Sequence, residues 1–508
     1  MPEPSESPVV GRPERFSLLV LWLMAVTFLI KLALAWRFEG FLTGDDLEVV
    51  QTAAKYALGV HYQPWGLRCL FHPIVLVFPV MKLAVLFGAR DPRVLSWIAA
   101  LPTAVFSTAA IALTAALARR WGWPVRAAGV AAFFYALAWL PLGYGASPFP
   151  RPISTALLLA AFLLAGLPRD RLWPALTAGA FAGAAFAVRW SEGVVLIPLC
   201  AWTGWRFRSG KRVLAIGAGF AAGTLLCAGV TDWLTWGWPL ASLKEYFRIM
   251  YLERPASGFV TEDPVWDYAY SILKWAGPIL VLLLVPAWKE RYARPAIAVF
   301  AAILALMSLF SHKEWRYLQA AIPFLALAAA AGWERLWTRG PRWLAATALF
   351  LAVPYGLERA WTLLSDRTAA EIEAARFIVN LPRQPKILAL EQTWAYGEHL
   401  YLGNDIDYRE IEFGRPLRPR AIREAASGAD IAGVYARHLD DAGRRELEAL
   451  GFRPIAHFKK QRAYDCLLFG RGLFSGSTGA SAQASETRSA EGPPTPPAAT
   501  VPPASQRR

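Results

Sequence analysis

The feature that most constrains this chain is the recurrence of apolar stretches close to 20 residues long, starting with Phe16–Trp36 and continuing along most of its 508 residues. Such a length of helix crosses a hydrocarbon core of about 30 Å. With 56% hydrophobic residues and 23 Trp, the composition fits an α-helical polytopic membrane protein and not a soluble one. The net charge of +15 does not point to nucleic acid, because Lys and Arg lie mostly in short loops between the apolar runs. In those loops they orient the chain and meet anionic headgroups.

Loop charge sets the orientation. Arg12 and Arg15 precede the first apolar run, which is full length and has no clear small-residue cleavage site, so residues 1–15 are expected in the cytoplasm and the run is read as a retained signal anchor. If the next run, Pro73–Gly88, crossed back, "ARRWGWPVR" (Ala118–Arg126) would lie outside, against the positive-inside rule. If Pro73–Gly88 instead lies in the interface, that loop falls inside, together with "LPRDRLWP", "RFRSGKR", "WKERYARP" and "TRGPR". Two prolines and Lys82 in this short run favour the interfacial reading. The spans are then expected near 16–36, 93–117, 126–143, 152–167, 173–188, 193–205, 213–231, 267–286, 296–310, 317–336 and 343–361, about eleven in all. A first outer loop covers 37–92 and a large later one 232–266.

Beyond about residue 363 the character changes. Strand-like runs ("KILALEQ", "ADIAGVYA", "FRPIAHF", "YDCLLFG") alternate with helical ones ("AAEIEAARFIV", "DAGRRELEALG"), which predicts a small α/β domain over 364–472, outside the membrane. Residues 473–508, rich in Ser, Ala, Pro and Gly, read as a disordered tail. Cys200 and Cys227 are expected buried in or beside spans, and Cys69 and Cys466 share the outer side, where a disulfide is conceivable.

On that outer side the topology gathers Asp45, Asp46 and Glu48 in "GFLTGDDLEVVQ", "HYQPW", His72, "SPFPRP" with Arg151, Arg189 with Glu192, Asp232, and "SHKEWRY" with His312, Lys313, Glu314 and Arg316. A carboxylate at mid-bilayer costs roughly 2.5–3.5 kcal/mol on insertion scales, so the acidic trio belongs in water or in a polar cleft. Each cluster has a plain explanation as solvated loop charge or as arginines reaching for headgroups. Their coincidence on one face is what points to chemistry, with cations to hold an anionic lipid-linked donor and a carboxylate to act on an acceptor hydroxyl.

Four stretches resemble the membrane glycosyltransferases of GT-C architecture that use polyprenyl-phosphate sugars, and more narrowly glycosyltransferase family 22, the mannosyltransferases of glycosylphosphatidylinositol anchors and lipid-linked N-glycans. "SHKEWRYLQAAIPFLALAAAAG" resembles the family's His-Lys-Glu-x-Arg-Phe box, with Tyr317 for Phe. "GDDLEVVQTAAKYALG" resembles its first-loop Pro-Asp-Glu segment, with Gly44 for Pro and Asp46 for Glu. "TDWLTWGWPLASLKEYFRIMY", with Trp236 at a Tyr position, and "AVRWSEGVVLIPLCAW" resemble two further segments, and the likeness spans about 16–360.

The resemblance implies inverting transfer of a hexose, mannose by analogy, from a polyprenyl-phosphate donor to a hydroxyl of a lipid or glycan acceptor. It makes Asp45 the expected general base and Asp46 the runner-up, with Asp46 or Glu48 orienting the acceptor. His312, Lys313 and Arg316 are expected on the donor phosphate, Arg151 and Arg189 being weaker candidates. Glu314 either joins the site or pairs with Lys313 or Arg316, and Asp232 opens the later loop. No His/Cys pair at ligand spacing and no HExxH is present, so metal-independent transfer without a cofactor is expected. A transporter of lipid-linked sugars is the alternative, disfavoured by the absence of a repeat and by charges at span ends. The Arg/Ala-rich composition leans toward a bacterial inner membrane with a periplasmic site. Reporter fusions test the orientation: a fusion at Trp121 is expected to report cytoplasm and one at Ala89 the opposite side, and the reverse pattern would overturn it.

Overall fold

Lipid offers the backbone no hydrogen-bond partners, so apolar runs of this kind fold as helices that satisfy their own polar groups. The computed structural model describes residues 13–168, 171–253, 264–310, 313–365, 368–383, 385–389, 396–405, 407–410, 419–426, 428–460 and 465–474. Of the readings above, residues 1–12, His312 and most of the tail lie outside the described residues.

Helix α1 (Pro13–Arg37) is followed by α2 (Gly44–Leu58) in the first loop, then by a π-helical turn (His72–Val77) leading into α3 (Phe78–Leu86). Next come α4 (Pro92–Arg120), α5 (Val125–Leu137), α6 (Trp139–Gly143), α7 (Arg151–Ala165), α8 (Trp173–Val188), α9 (Leu196–Phe207) and α10 (Gly210–Thr224). Helices α11 (Val230–Trp236) and α12 (Ala241–Phe247) carry the later loop, and α13 (Asp267–Ala276), α14 (Pro278–Leu282), α15 (Leu284–Ala287), α16 (Arg294–Ser308), α17 (Ile322–Arg339) and α18 (Arg342–Ser365) complete the helical body.

Among the described residues, four of these units are long and apolar enough to cross a membrane, at Phe16–Arg37, Pro92–Arg120, Gly210–Trp236 and Arg291–Ser308. The number rises to six if two bent pairs each count as one span: Val125–Leu137 with Trp139–Ala146, bent by 62°, and Asp267–Lys274 with Pro278–Ala287, bent by 112°. That is short of the expected eleven. Part of the difference is geometric: α7 and α8, two of the expected spans, have 15 and 16 residues, about 22–24 Å of helix at 1.5 Å per residue, against about 30 Å of hydrocarbon. The expected interfacial run is the helical stretch His72–Leu86, which packs on α2 and leaves Val75, Leu83, Leu86 and Phe87 exposed.

Small residues hold the body together. Gly179 and Gly183 of α8 face Gly219 and Gly223 of α10, and a Cβ on Gly219 would land on the Leu176 carbonyl oxygen, as one on Gly179 would on that of Ile216. Such spacing lets two backbones meet where lipid supplies no hydrophobic drive.

After α18 the chain builds a mixed sheet of order β2-β1-β3-β5-β4 from β1 (Ile387–Ala389), β2 (Tyr408–Glu410), β3 (Ile431–Tyr435), β4 (Arg453–Phe458) and β5 (Cys466–Gly470). β1 runs parallel to β2 and β3, and β5 antiparallel to β3 and β4. Helices α19 (Ala370–Val379), α20 (Glu398–Leu402), α21 (Pro419–Ala425) and α22 (Asp441–Ala449) accompany it. This unit does not stand apart: Ile372, Ala375, Ile378 and Leu468 share a core with Val50, Ala53, Val77 and Met81 of the first loop. Cys69 and Cys466 are both free and sit in different clusters, so they form no disulfide, and Cys200 and Cys227 are half-buried.

The α8–α10 contact makes a stability prediction. Gly219→Leu should lower unfolding stability in detergent by about 1–3 kcal/mol or more through forced separation of the helices. Gly217→Leu, where an added Cβ meets nothing within 4 Å, should change it little; equal effects in thermal unfolding would refute the close packing.

Candidate active site

The segment between α1 and α4 places its acidic residues by helix capping. Thr43 is extended and its hydroxyl accepts from the N–H groups of Asp45 and Asp46, at 3.2 and 3.4 Å, starting α2. The first turn of a helix favours carboxylates, which meet its positive dipole end. Residues three apart share a helix face, and Asp45 and Glu48 together line a cleft of about 630 Å³. Asp46 points elsewhere: it accepts from the Leu42 N–H at 3.1 Å and the Thr43 hydroxyl at 3.0 Å.

Arginines from distant segments close on Asp45. Arg68 pairs with one of its oxygens and Arg189, where α8 ends, with the other. Arg151 pairs with Glu192 at 2.8 Å, reaches Ser191 at 3.1 Å and lies 4.0 Å over the Tyr317 ring. Arg316 is held by Glu314, and its guanidinium lies 5.8 Å from the Phe149 ring, which Arg189 approaches at 5.9 Å. Glu48 accepts from the Tyr62 hydroxyl and from the Trp65 N–H at 2.8 Å. Several donors remain unspent: Nε and Nη1 of Arg68, Nε of Arg189 and Nε of Arg151 are buried without a hydrogen-bond partner. So are both ring nitrogens of His72, which also lines the cleft.

Electrostatics separates the two neighbouring aspartates. Burial alone would raise Asp45, but Arg189, Arg68 and Arg316 overcome it and hold the carboxyl well below its usual range. No guanidinium pairs directly with Asp46; burial, with the charge of Asp45 adding to it, raises its pKa to about 7 against the hydrogen bonds from Thr43 and Leu42 and the charge of Arg316, which lower it. Burial likewise raises Glu48, partly offset by Arg68. Burial and then Arg189 lower His72 to about 3, leaving it a neutral imidazole.

The expected residues thus converge for the most part. Asp45, Glu48, Arg151 and Arg189 line one cleft, and Arg316 acts electrostatically on Asp45 from behind Phe149. Glu314 pairs with Arg316, one of the arrangements expected for it. Lys313 donates to the Phe310 carbonyl at 2.6 Å. Asp232 does not line the cleft; it accepts from Ser242 N–H at 2.9 Å, beside Cys69. Arg68 and the role of Tyr317 as a floor for Arg151 were not anticipated, and Tyr62 and Phe149 only as members of the flagged stretches "HYQPW" and "SPFPRP". For Arg68 the one available signal was a cation in the same loop as the trio. Among the described residues no group of three or more His, Cys, Asp or Glu is placed to hold a metal ion.

Asp46 supplies a pH test. Its folded pKa lies above the value of about 4 for an unfolded Asp, so its stabilising contribution is complete below about pH 4. It declines as pH rises toward about 7 and is gone above that, a loss on the order of a few kcal/mol. Asp46→Asn should abolish that part of the pH dependence in thermal unfolding between pH 4 and 8; identical pH profiles for the two proteins would contradict the assignment.

The same fold is found in ArnT from Cupriavidus metallidurans. In its apo state it shares 14% identity with a TM-score of 0.59, covering 89% of this chain and 98% of that one. Bound to undecaprenyl phosphate, it shares 13% identity with a TM-score of 0.58, covering 91% and 98%. The Archaeoglobus fulgidus oligosaccharyltransferase tethered to an acceptor peptide matches at 13% identity and a TM-score of 0.50, over 84% of this chain and 70% of that one. A search of the curated proteins finds no match. The sequence model of the Alg9-like mannosyltransferase family matches residues 22–382, a stretch that holds the cleft, its arginines and the box around Lys313. The chain belongs to the Alg9-like mannosyltransferase family.

Proposed function

We propose that this protein transfers a hexose, mannose by family membership, from a polyprenyl-phosphate donor to a hydroxyl of a lipid or glycan acceptor, with inversion at the anomeric carbon. The observation that carries the reading is the buried Asp45 carboxylate shared by Arg68 and Arg189 on the wall of a cleft whose guanidiniums keep unpartnered N–H groups. A phosphate is the ligand those donors fit, since guanidinium forks bind phosphate oxygens by charge-assisted pairs. The presence of undecaprenyl phosphate in the ArnT structure supports the same donor class here.

In this proposal the donor phosphate draws Arg189, Arg316 and Arg151 to its oxygens. Asp45, relieved of part of its cationic company, gains basicity and takes the proton of the acceptor hydroxyl. The hydroxyl oxygen bonds to the anomeric carbon as the carbon–oxygen bond to phosphate breaks, and the lipid phosphate leaves with the electron pair. The arginines and Lys313 stabilise the negative charge that develops there. Glu48, fixed by Tyr62 and Trp65, orients the acceptor. Asp46, turned toward Leu42 and Thr43, shapes the loop and is not the base. Transfer is proposed to be independent of metal, the guanidiniums of Arg151, Arg189 and Arg316 supplying the positive charge around the phosphate. The stretch His72–Leu86 admits the polyprenyl chain along its exposed apolar side. The count of eleven crossings and a periplasmic cleft in a bacterial inner membrane belong to the same proposal.

Purified protein with undecaprenyl-phosphate-mannose and a membrane glycolipid extract tests it. Asp45→Asn should cut turnover by about 10²–10⁴-fold, as loss of a general base does, while Arg316→Gln should chiefly raise the KM for donor. Undiminished transfer by Asp45→Asn would remove it as the base, and no transfer by the wild-type protein from any polyprenyl-phosphate hexose would remove the donor class.

A further inference from the structure

A second, shallow cleft that opens to the surroundings shares no lining residue with the first. It lies where α1 ends and α4 begins, between Phe38, Glu39 and Phe41 on one side and Arg93, Ser96 and Trp97 on the other. Both helices are candidate membrane spans, so the cleft sits where two crossings leave the bilayer. Trp36 and Trp97, packed edge to face at 5.7 Å, are the residue type favoured at that level.

The walls carry two unmet atoms of opposite charge. Glu39 is 3% exposed; one oxygen accepts from Arg376 and from the Tyr401 hydroxyl at 3.2 Å, and Oε2 is buried without a partner. Arg93 donates from Nη2 to the Trp36 carbonyl at 2.8 Å and lies 4.8 Å over that ring, and its Nε is buried without a partner. The Glu39–Arg376 pair on its own would be a fastening between the first loop and the C-terminal unit. A fastening explains one oxygen of Glu39 and leaves unexplained the other oxygen, Arg93 Nε and the open space between them. Buried polar atoms left bare are costly.

We propose that this cleft binds the headgroup of an ethanolamine phospholipid from the surrounding membrane. The phosphate accepts from Arg93 Nε, and the ammonium donates to Glu39 Oε2 among the rings of Trp97, Phe38 and Phe41, which attract a cation. The exposed Leu29 of α1, within about two turns of the cleft, offers an apolar surface to an acyl chain. A neutral glycosyl headgroup would also fill the space, but opposite full charges gain most from a ligand carrying both. Leu42 lines the same cleft and donates its N–H to Asp46, so the bound lipid would brace the turn that leads into Asp45.

The test uses the full-length protein in detergent, stripped of lipid, and native mass spectrometry with palmitoyl-oleoyl phosphatidylethanolamine, the matching phosphatidylglycerol and dodecyl mannoside. One ethanolamine lipid should be retained in preference to the glycerol lipid. Glu39→Gln and Arg93→Gln should each weaken that retention by about tenfold or more. Arg93→Gln leaves the Arg376 fastening in place, so it keeps the test valid if Glu39→Gln fails to fold. Equal retention of the two phospholipids, or retention untouched by Arg93→Gln, overturns the proposal. Displacement of the ethanolamine lipid by dodecyl mannoside overturns it in favour of a glycosyl ligand. None of these readouts requires glycosyl transfer, so they stand or fall apart from the reading of the first cleft.

Discussion

A carboxylate taken out of water has to be matched by cations, and the cleft of this protein is arranged around one such match. Arg151 has Glu192 and Arg316 has Glu314, which leaves Arg68 and Arg189 to share the single charge of Asp45. Breaking one member out of a buried pair is costly because the partner stays charged. Glu48 on the same cleft brings the carboxylates level with the four guanidiniums, so what the cleft offers an anion is the unspent N–H groups of Arg68, Arg151 and Arg189. In the proposed reaction Arg68 and Arg189 hold Asp45 ionised until a phosphate arrives, which couples donor arrival to base release.

The helical body and the C-terminal unit both serve to hold that arrangement. Asp45 is fixed by the cap of α2, and α2 is clamped from behind: Ala369 N–H donates to the Glu39 carbonyl at 2.8 Å, Gln51 reaches the Gly397 carbonyl, and the His61 N–H donates to Asn404 at 2.8 Å. On the membrane side, Arg189 ends α8, whose glycines seat it against α10. A change in either contact would move one partner of the Asp45 pair relative to the other.

Much of this was legible in the sequence, for identifiable reasons. Loop charge and span length grouped Asp45, Glu48, Arg151 and Arg189, which line one cleft, and the "GDDLEVVQ" and "SHKEWRY" stretches marked Asp45 and Arg316, whose charges act on each other across more than 260 residues of chain. Four of the strand-like runs of the C-terminal region fall on β1, β3, β4 and β5, whereas β2, three residues long, gave no alternation to detect. Apolar content could not yield helix length: α7 and α8 are apolar enough to suggest crossings yet too short to make straight ones. Nor could it show that Asp46 turns away from the cleft while its neighbour enters it, since that depends on which oxygen the Thr43 cap engages. Arg68 was hidden because an arginine in an outer loop looks the same whether it meets solvent or a buried carboxylate.

The claim that the arginines of Asp45 are a waiting phosphate site is tested most directly by an experimental structure of the protein with undecaprenyl phosphate. The account predicts the phosphate within hydrogen-bond reach of Arg189 and Arg316, with at least one oxygen of Asp45 released from its guanidinium. A phosphate lodged elsewhere, with both Asp45 ion pairs intact, would contradict it.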